Sequence, residues 1–126
     1  ETPILMAAAV TFWAAGFDLI YACQDVEHDR EHGLFSIPVR LGVGGALRLS
    51  VALHVLCILC LVAVYLVNPH VGGLYGVGLA AAVALLVYEH AIVTPQDLSR
   101  VDLAFFTLNG LVSLVLGAAI IADALL

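Results

Sequence analysis

The sequence predicts an all-α fold, a polytopic membrane bundle with four transmembrane helices, on three observations. Of its 126 residues, 63% are hydrophobic and 11% charged, with a mean hydropathy of +1.13, more apolar surface than a water-soluble domain of this length can bury. The apolar residues gather into four runs, each near the ~20 residues that cross a hydrocarbon core. No run keeps the period-two alternation of a strand, and open sheet cannot cross lipid.

The first span runs from about Ile4 to Cys23 and ends where a crowd of acids begins. The second is Leu49 to Val67, interrupted only by His54. The third covers roughly Val71 to Val93, with Tyr88, Glu89 and His90 near its end, and the fourth runs from Leu103 to Leu126 past Asn109 and Asp123. The first run has no basic segment before it and no small-residue cleavage site, unlike a signal peptide. The opening Glu1-Thr2-Pro3 without an initiator Met predicts that the chain is a piece of a longer protein.

Charge narrows the possibilities. A net charge of -6 with four Lys and Arg in all, every one an Arg, argues against nucleic acid as a partner, because phosphate binding needs a cationic face. Arg30, Arg40 and Arg48 fall between spans one and two and Arg100 between spans three and four, whereas the Asn68-Pro69-His70 turn has none. By the positive-inside rule the acidic passage and the Thr94 to Asp102 loop face the cytoplasm. Three cysteines in apolar runs, Cys23, Cys57 and Cys60, read as small packing side chains, and the CxxC spelling of Cys57 and Cys60 has no redox context.

The passage DLIYACQDVEHDREHG, residues 18 to 33, holds five of the ten carboxylates. At about 100° per residue, Asp18, Asp25 and Asp29 share one helix face, with Tyr21 and Ala22 beside it. Glu27 falls opposite, with Glu31 nearly so. A solvated helix end accounts for Glu27 and Glu31. It does not account for Asp18, about 10 Å deeper than Asp25 at 1.5 Å per residue, where a carboxylate faces a cavity or a partner. Aligned carboxylates repel one another unless a cation or several protons neutralise them, and an all-oxygen set suits Mg²⁺ or another hard ion over zinc; Mg²⁺ takes one or two carboxylates and completes its shell with water and phosphate. An Asp stripe at a membrane cavity therefore suggests a substrate with a diphosphate head and a lipid tail. His28 and His32, four apart, read as an exposed helix-end pair, with a transition-metal site as the alternative.

The passage has the form DxxYAxxDxxxDxxxG followed by SIPxRLG: Asp18, Tyr21, Ala22, Asp25, Asp29 and Gly33, then Ser36-Ile37-Pro38-Val39-Arg40-Leu41-Gly42. It resembles the second aspartate-rich motif of the UbiA family of intramembrane prenyltransferases, nearest to the 4-hydroxybenzoate polyprenyltransferase group and its menaquinone-pathway relatives. Phe12 to Asp18 and Phe105 to Gly110 strengthen the likeness. The resemblance implies a nine-helix fold, of which this chain is the C-terminal part, helices six to nine. The first motif, of NxxxDxxxD type, does not occur here, so residues 1 to 126 form part of a single membrane domain and are expected not to catalyse alone.

What the resemblance implies is Mg²⁺-dependent transfer of a polyprenyl group from its diphosphate to an aromatic acceptor such as 4-hydroxybenzoate, in quinone synthesis at a prokaryotic cytoplasmic membrane. Asp25 and Asp29 hold the metal in this picture. Tyr21, one turn deeper, offers an aromatic face to the allylic cation. Asp18 binds metal through water or positions the acceptor. Several family members have Lys where this chain has Phe35; Arg40, Arg30 or the missing half would then supply the cation to the diphosphate. Within the family, the rival acceptors are haem, chlorophyllide and a glycerol lipid. Outside it, the rivals are a cation transporter, which predicts polar groups continuing across the membrane, and a non-catalytic anchor, which does not explain Asp18.

The remaining polar residues have plainer readings. His54 and Asn109 are expected to bond between helices. Glu89 and His90 either line the cytoplasmic mouth or anchor the span at the interface. Asp123 is expected at the outer interface, in water.

Overall fold

The computed structural model describes residues 1–126. Four helices are long and apolar enough to cross a membrane: Thr2–Glu31, Ile37–Val67, Gly73–Ile92 and Leu103–Leu125. In detail the chain forms α1 (Thr2–Ala22), a 3₁₀ turn (Cys23–Asp25), α2 (Val26–Glu31), α3 (Ile37–Val67), α4 (Gly73–Ile92), a π-helical segment (Leu103–Leu108) and α5 (Asn109–Leu125). There is no strand, only an isolated bridge between Thr94 and Asp97. Only 25 of the 126 residues are buried, so most of the apolar surface faces outward, as lipid or further protein requires.

The four spans match the sequence expectation, with one large boundary shift. The second helix starts at Ile37, twelve residues before Leu49. Arg40, Arg48 and several glycines lower the local hydropathy there, but backbone hydrogen bonding ignores hydropathy. Ser36 caps the start, its Oγ accepting from the Val39 amide at 3.3 Å, and Pro38 occupies the first turn, where its missing N–H costs nothing. Gly42 then breaks the helix at φ 76°, ψ 164°, a conformation open essentially to glycine alone. The Ser-Ile-Pro-Val-Arg-Leu-Gly run is thus a capped single turn hinged onto the membrane rod behind it.

The largest buried cluster lies at the acidic end and joins Ile20 and Cys23 to Ala46, Leu47, Val93, Val101, Ala104 and Leu108. Smaller clusters, Ala9 with Cys57 and Leu61, and Ala82 with Leu86 and Val112, fill the deeper half. Cys57 is therefore a packing side chain, and all three thiols are free. The opposite end is closed by Asp123, whose Oδ2 accepts from the amides of Gly72 and Tyr75, each at 2.7 Å. Asp123 is thus more than the solvated side chain the sequence suggests. It caps α4 from another helix, satisfying amides that open a helix with no partner of their own.

Candidate active site

The acids are presented by two local devices. Three residues of 3₁₀ helix at Cys23–Asp25 turn by about 120° each instead of 100°, adding about 60° of rotation between Asp18 and Asp25. The stripe expected from uniform helix geometry is therefore twisted. Asp18 lines a groove with Ala15, Leu19 and Ala22 of α1 and with Ser36, Ile37, Pro38, Leu49 and Leu53, so the aspartate and the Ser-Ile-Pro turn meet in one place. Asp25 and Asp29 lie beyond the twist, Asp25 exposed and Asp29 half-buried. Glu27 and Glu31 are also exposed, so exposure alone does not separate the two sets of acids.

The second device ends α2. Gly33, at φ 65°, lets the Gly33 amide reach Arg30 O at 3.3 Å and the Leu34 amide reach Asp29 O at 2.8 Å. These are the two bonds of a Schellman closure, which favours glycine at this position. The four-residue spacing from Asp29 to Gly33 is thus the spacing that fixes the Asp29 backbone. Beyond it, the Arg40 guanidinium lies 5.5 Å from the centroid of the Phe35 ring, a cation–π distance. The rings of His28 and His32 lie 4.2 Å apart, with His32 Nδ1 against His28 O at 2.9 Å, so that nitrogen is already engaged. No group of three or more His, Cys, Asp or Glu side chains is gathered to hold a metal. Asp25 and Asp29 are the two residues that could hold a Mg²⁺ ion, an ion that usually takes one or two carboxylates with water and phosphate supplying the rest.

Tyr21 opens a ladder of aromatic rings. Its ring lies 4.4 Å from Phe105 and 6.4 Å from Phe106, and Phe105 continues through Phe17 to Trp13 at 5.3 Å per step. Five rings thus run along α1 and the π segment. Tyr21 is 39% exposed and Phe106 64%, so the ladder opens on the acidic end and dives inward toward Trp13.

Sequence reasoning did not foresee what lies under the ladder. Trp13 Nε1 donates to Asn109 Oδ1 at 3.0 Å, and Asn109 Nδ2 donates to Glu89 Oε1 at 3.3 Å. His54 faces His90 Nε2 at 2.8 Å through Nδ1 and Trp13 O at 3.3 Å through Nε2. Because Glu89 and His90 are adjacent on α4, these contacts close a ring through α1, α3, α4 and α5. Glu89 is fully buried and its Oε2 has no partner, so it neither anchors an interface nor lines a mouth. The interhelical bonding expected of His54 and Asn109 is present. The available signal was that three spans besides the first carry isolated polar side chains, which in lipid seek one another.

Deeper still lies a cavity of about 240 Å³ bordered by all four spans, with Trp13 on its wall. Twelve of its fourteen lining residues are hydrophobic, so the space beyond the ring is apolar. That is the opposite of what a cation pathway needs.

Comparison with known proteins adds to this geometry. The model for the UbiA prenyltransferase family matches residues 1–111. The chain is 34% identical over 103 residues to a 4-hydroxybenzoate octaprenyltransferase of Methylococcus capsulatus, covering 78% of this chain and 33% of that protein. It is 36% identical over 84 residues to a 4-hydroxybenzoate solanesyltransferase of Synechocystis, covering 65% and 27%. It is 32% identical over 124 residues to a 4-hydroxybenzoate octaprenyltransferase of Cupriavidus necator, covering 96% and 42%. The chain thus spans between 27% and 42% of the length of these curated relatives. No solved structure matches it.

Proposed function

The chain belongs to the UbiA prenyltransferase family, and on that premise we propose that it supplies helices six to nine of an enzyme that moves a polyprenyl group from its diphosphate to 4-hydroxybenzoate or a similar aromatic acceptor. One observation carries the reading: the acid turn of Asp25 and Asp29 and the open end of the aromatic ladder at Tyr21 and Phe105 share one end of the bundle. A reaction that releases diphosphate and leaves an allylic cation needs both. The relatives' names support the acceptor class.

Asp25 and Asp29 are the residues that would hold Mg²⁺, which supplies charge neutralisation to the departing diphosphate. Arg40, beside Phe35, adds a cation at the same end. As the carbon–oxygen bond breaks, Tyr21 and Phe105 offer π faces to the allylic cation and exclude water from it. Asp18, in its groove with Ser36, accepts a hydrogen bond from the acceptor's hydroxyl and so orients the ring that attacks. The apolar cavity beyond Trp13 suits hydrocarbon. The acid turn faces the cytoplasm of a prokaryotic cell in this reading, supported by the arginines, all of which lie outside the far-end loop.

The test uses the full-length enzyme in lipid vesicles with polyprenyl diphosphate, 4-hydroxybenzoate and Mg²⁺. Wild type should form prenylated acid only with the metal present, and Asp25→Ala should lose that activity while inserting normally. Undiminished transfer by Asp25→Ala would refute the metal role. Failure of the wild type with every aromatic acceptor would refute the reaction class.

A further inference from the structure

The buried ring of Glu89, Asn109 and Trp13 has no part in the chemistry just described, yet it touches the segment that carries Phe105. Leu103–Leu108 is π-helical. The Asn109 backbone amide donates in a fork to Ala104 O, five residues back, and Phe106 O, three back, and leaves Phe105 O, four back, without it. Widened turns of this kind loosen carbonyls from the regular ladder, and in lipid a loosened carbonyl needs another donor. The Asn109 side chain provides it for Phe105 O: the two Nδ2 hydrogens are shared among Phe105 O at 3.2 Å, Ala104 O at 3.0 Å and Glu89 Oε1 at 3.3 Å.

The chemistry of position 109 is tightly specified. The Trp13 indole is a donor only, so it requires an acceptor; the Phe105 carbonyl and the Glu89 oxygen require a donor, and the carboxamide has two N–H hydrogens to give. A carboxamide of this length satisfies both sides. Glu89, fully buried, is an expensive way to fill space in a membrane helix, and its single hydrogen bond goes to Asn109. Its effect is to hold the carboxamide edge toward the π segment.

We propose that Glu89 and Asn109 are positioning residues for prenyl transfer, holding the π segment so that Phe105 faces Tyr21 and the allylic cation is kept from water. This rests on the function proposed above. The cation formed as the diphosphate leaves with the bonding electron pair has two fates. An acceptor ring carbon bonds to it and then loses its proton to solvent, or water bonds to it and loses a proton, giving the polyprenyl alcohol. A correctly placed ladder favours the first.

The experiment measures both products from the full-length enzyme with Mg²⁺, polyprenyl diphosphate and 4-hydroxybenzoate. Glu89→Leu and Asn109→Ala should raise the ratio of prenyl alcohol to prenylated acid by about three- to tenfold, the scale of one interhelical hydrogen bond in a membrane. kcat should fall and KM for the diphosphate should stay within about twofold, since the acid turn is untouched. Glu89→Gln keeps an acceptor oxygen for Asn109 and should hold the wild-type ratio. If Asn109→Ala fails to accumulate, the Glu89 pair decides alone. Reduced activity with an unchanged product ratio, or a Glu89→Gln ratio like that of Glu89→Leu, overturns the proposal and leaves the parent reading standing. A wild-type enzyme that neither transfers nor releases prenyl alcohol overturns both.

Discussion

Gly16 and His54 share one space: a methyl group on Gly16 would lie 2.3 Å from both Cδ2 and Nε2 of the His54 ring. The ring cannot yield freely, because it is held between His90 and Trp13 O. Gly16→Ala should therefore destabilise the detergent-solubilised protein by about 1–3 kcal/mol, the usual cost of overpacking. The same change made together with His54→Ala should cost far less. Thermal melting of the four proteins checks this, and equal costs in both backgrounds would contradict the shared-space account.

Two glycines of the motif should respond differently to asparagine. Gly33 sits at φ 65° with nothing within 4 Å of an added Cβ, and asparagine visits the left-handed region readily. Gly42, at φ 76° and ψ 164°, lies where only glycine is at ease, with strain of about 1–3 kcal/mol for other residues. Gly33→Asn is expected to retain stability and Mg²⁺ response, whereas Gly42→Asn is expected to lose several degrees of melting temperature. Matching losses would mean that backbone strain is not what distinguishes them.

At Tyr21 the ring should matter more than its hydroxyl. Tyr21→Phe preserves the face beside Phe105 and should keep kcat within about threefold. If Tyr21 stabilises the allylic cation as proposed, Tyr21→Leu should cost about 0.5–2 kcal/mol, or roughly 2- to 30-fold in kcat. Steady-state kinetics of the full-length enzyme would settle it; equal losses in both variants would make the hydroxyl the active feature.

The Thr94–Arg100 loop should loosen in acid. Hydrogen bonds from the Ser99 hydroxyl and amide hold the exposed Asp97 carboxyl below its ordinary value of 3.8. A carboxyl whose folded value is depressed stabilises its turn fully above the unfolded value, and loses that contribution as pH falls through the folded one. Hydrogen exchange at the Ser99 amide should therefore be protected at pH values above 3.8 and lose protection below it. Asp97→Ala should flatten the pH dependence, and a persistent step in that variant would point to another group.

Much of this was legible in the sequence, for reasons that differ by residue. The four spans were readable because lipid demands length and apolarity, and nothing subtler. The acid turn was readable as a cluster, but its twist was not, since the 3₁₀ residues Cys23, Gln24 and Asp25 carry no helix-breaking signal. The π segment is invisible in Leu103–Leu108, six residues that suit an α-helix equally well. Its width depends on what the Asn109 side chain finds on neighbouring helices. Glu89 was misread for the same reason: its position near the end of α4 suggested an interface, while α1 and α5 determine what covers it.

Asp123 and Gly72, which it caps, are separated by 51 residues, and that distance is also an interval of time. At about 5–20 residues per second of synthesis, the amides opening α4 are made several seconds before their acceptor. Until Asp123 is made, the start of the third span has no acceptor for these two amides. A ribosome stalled before Asp123 would leave a chain with Asp18, Asp25 and Asp29 already made and its far end unfastened.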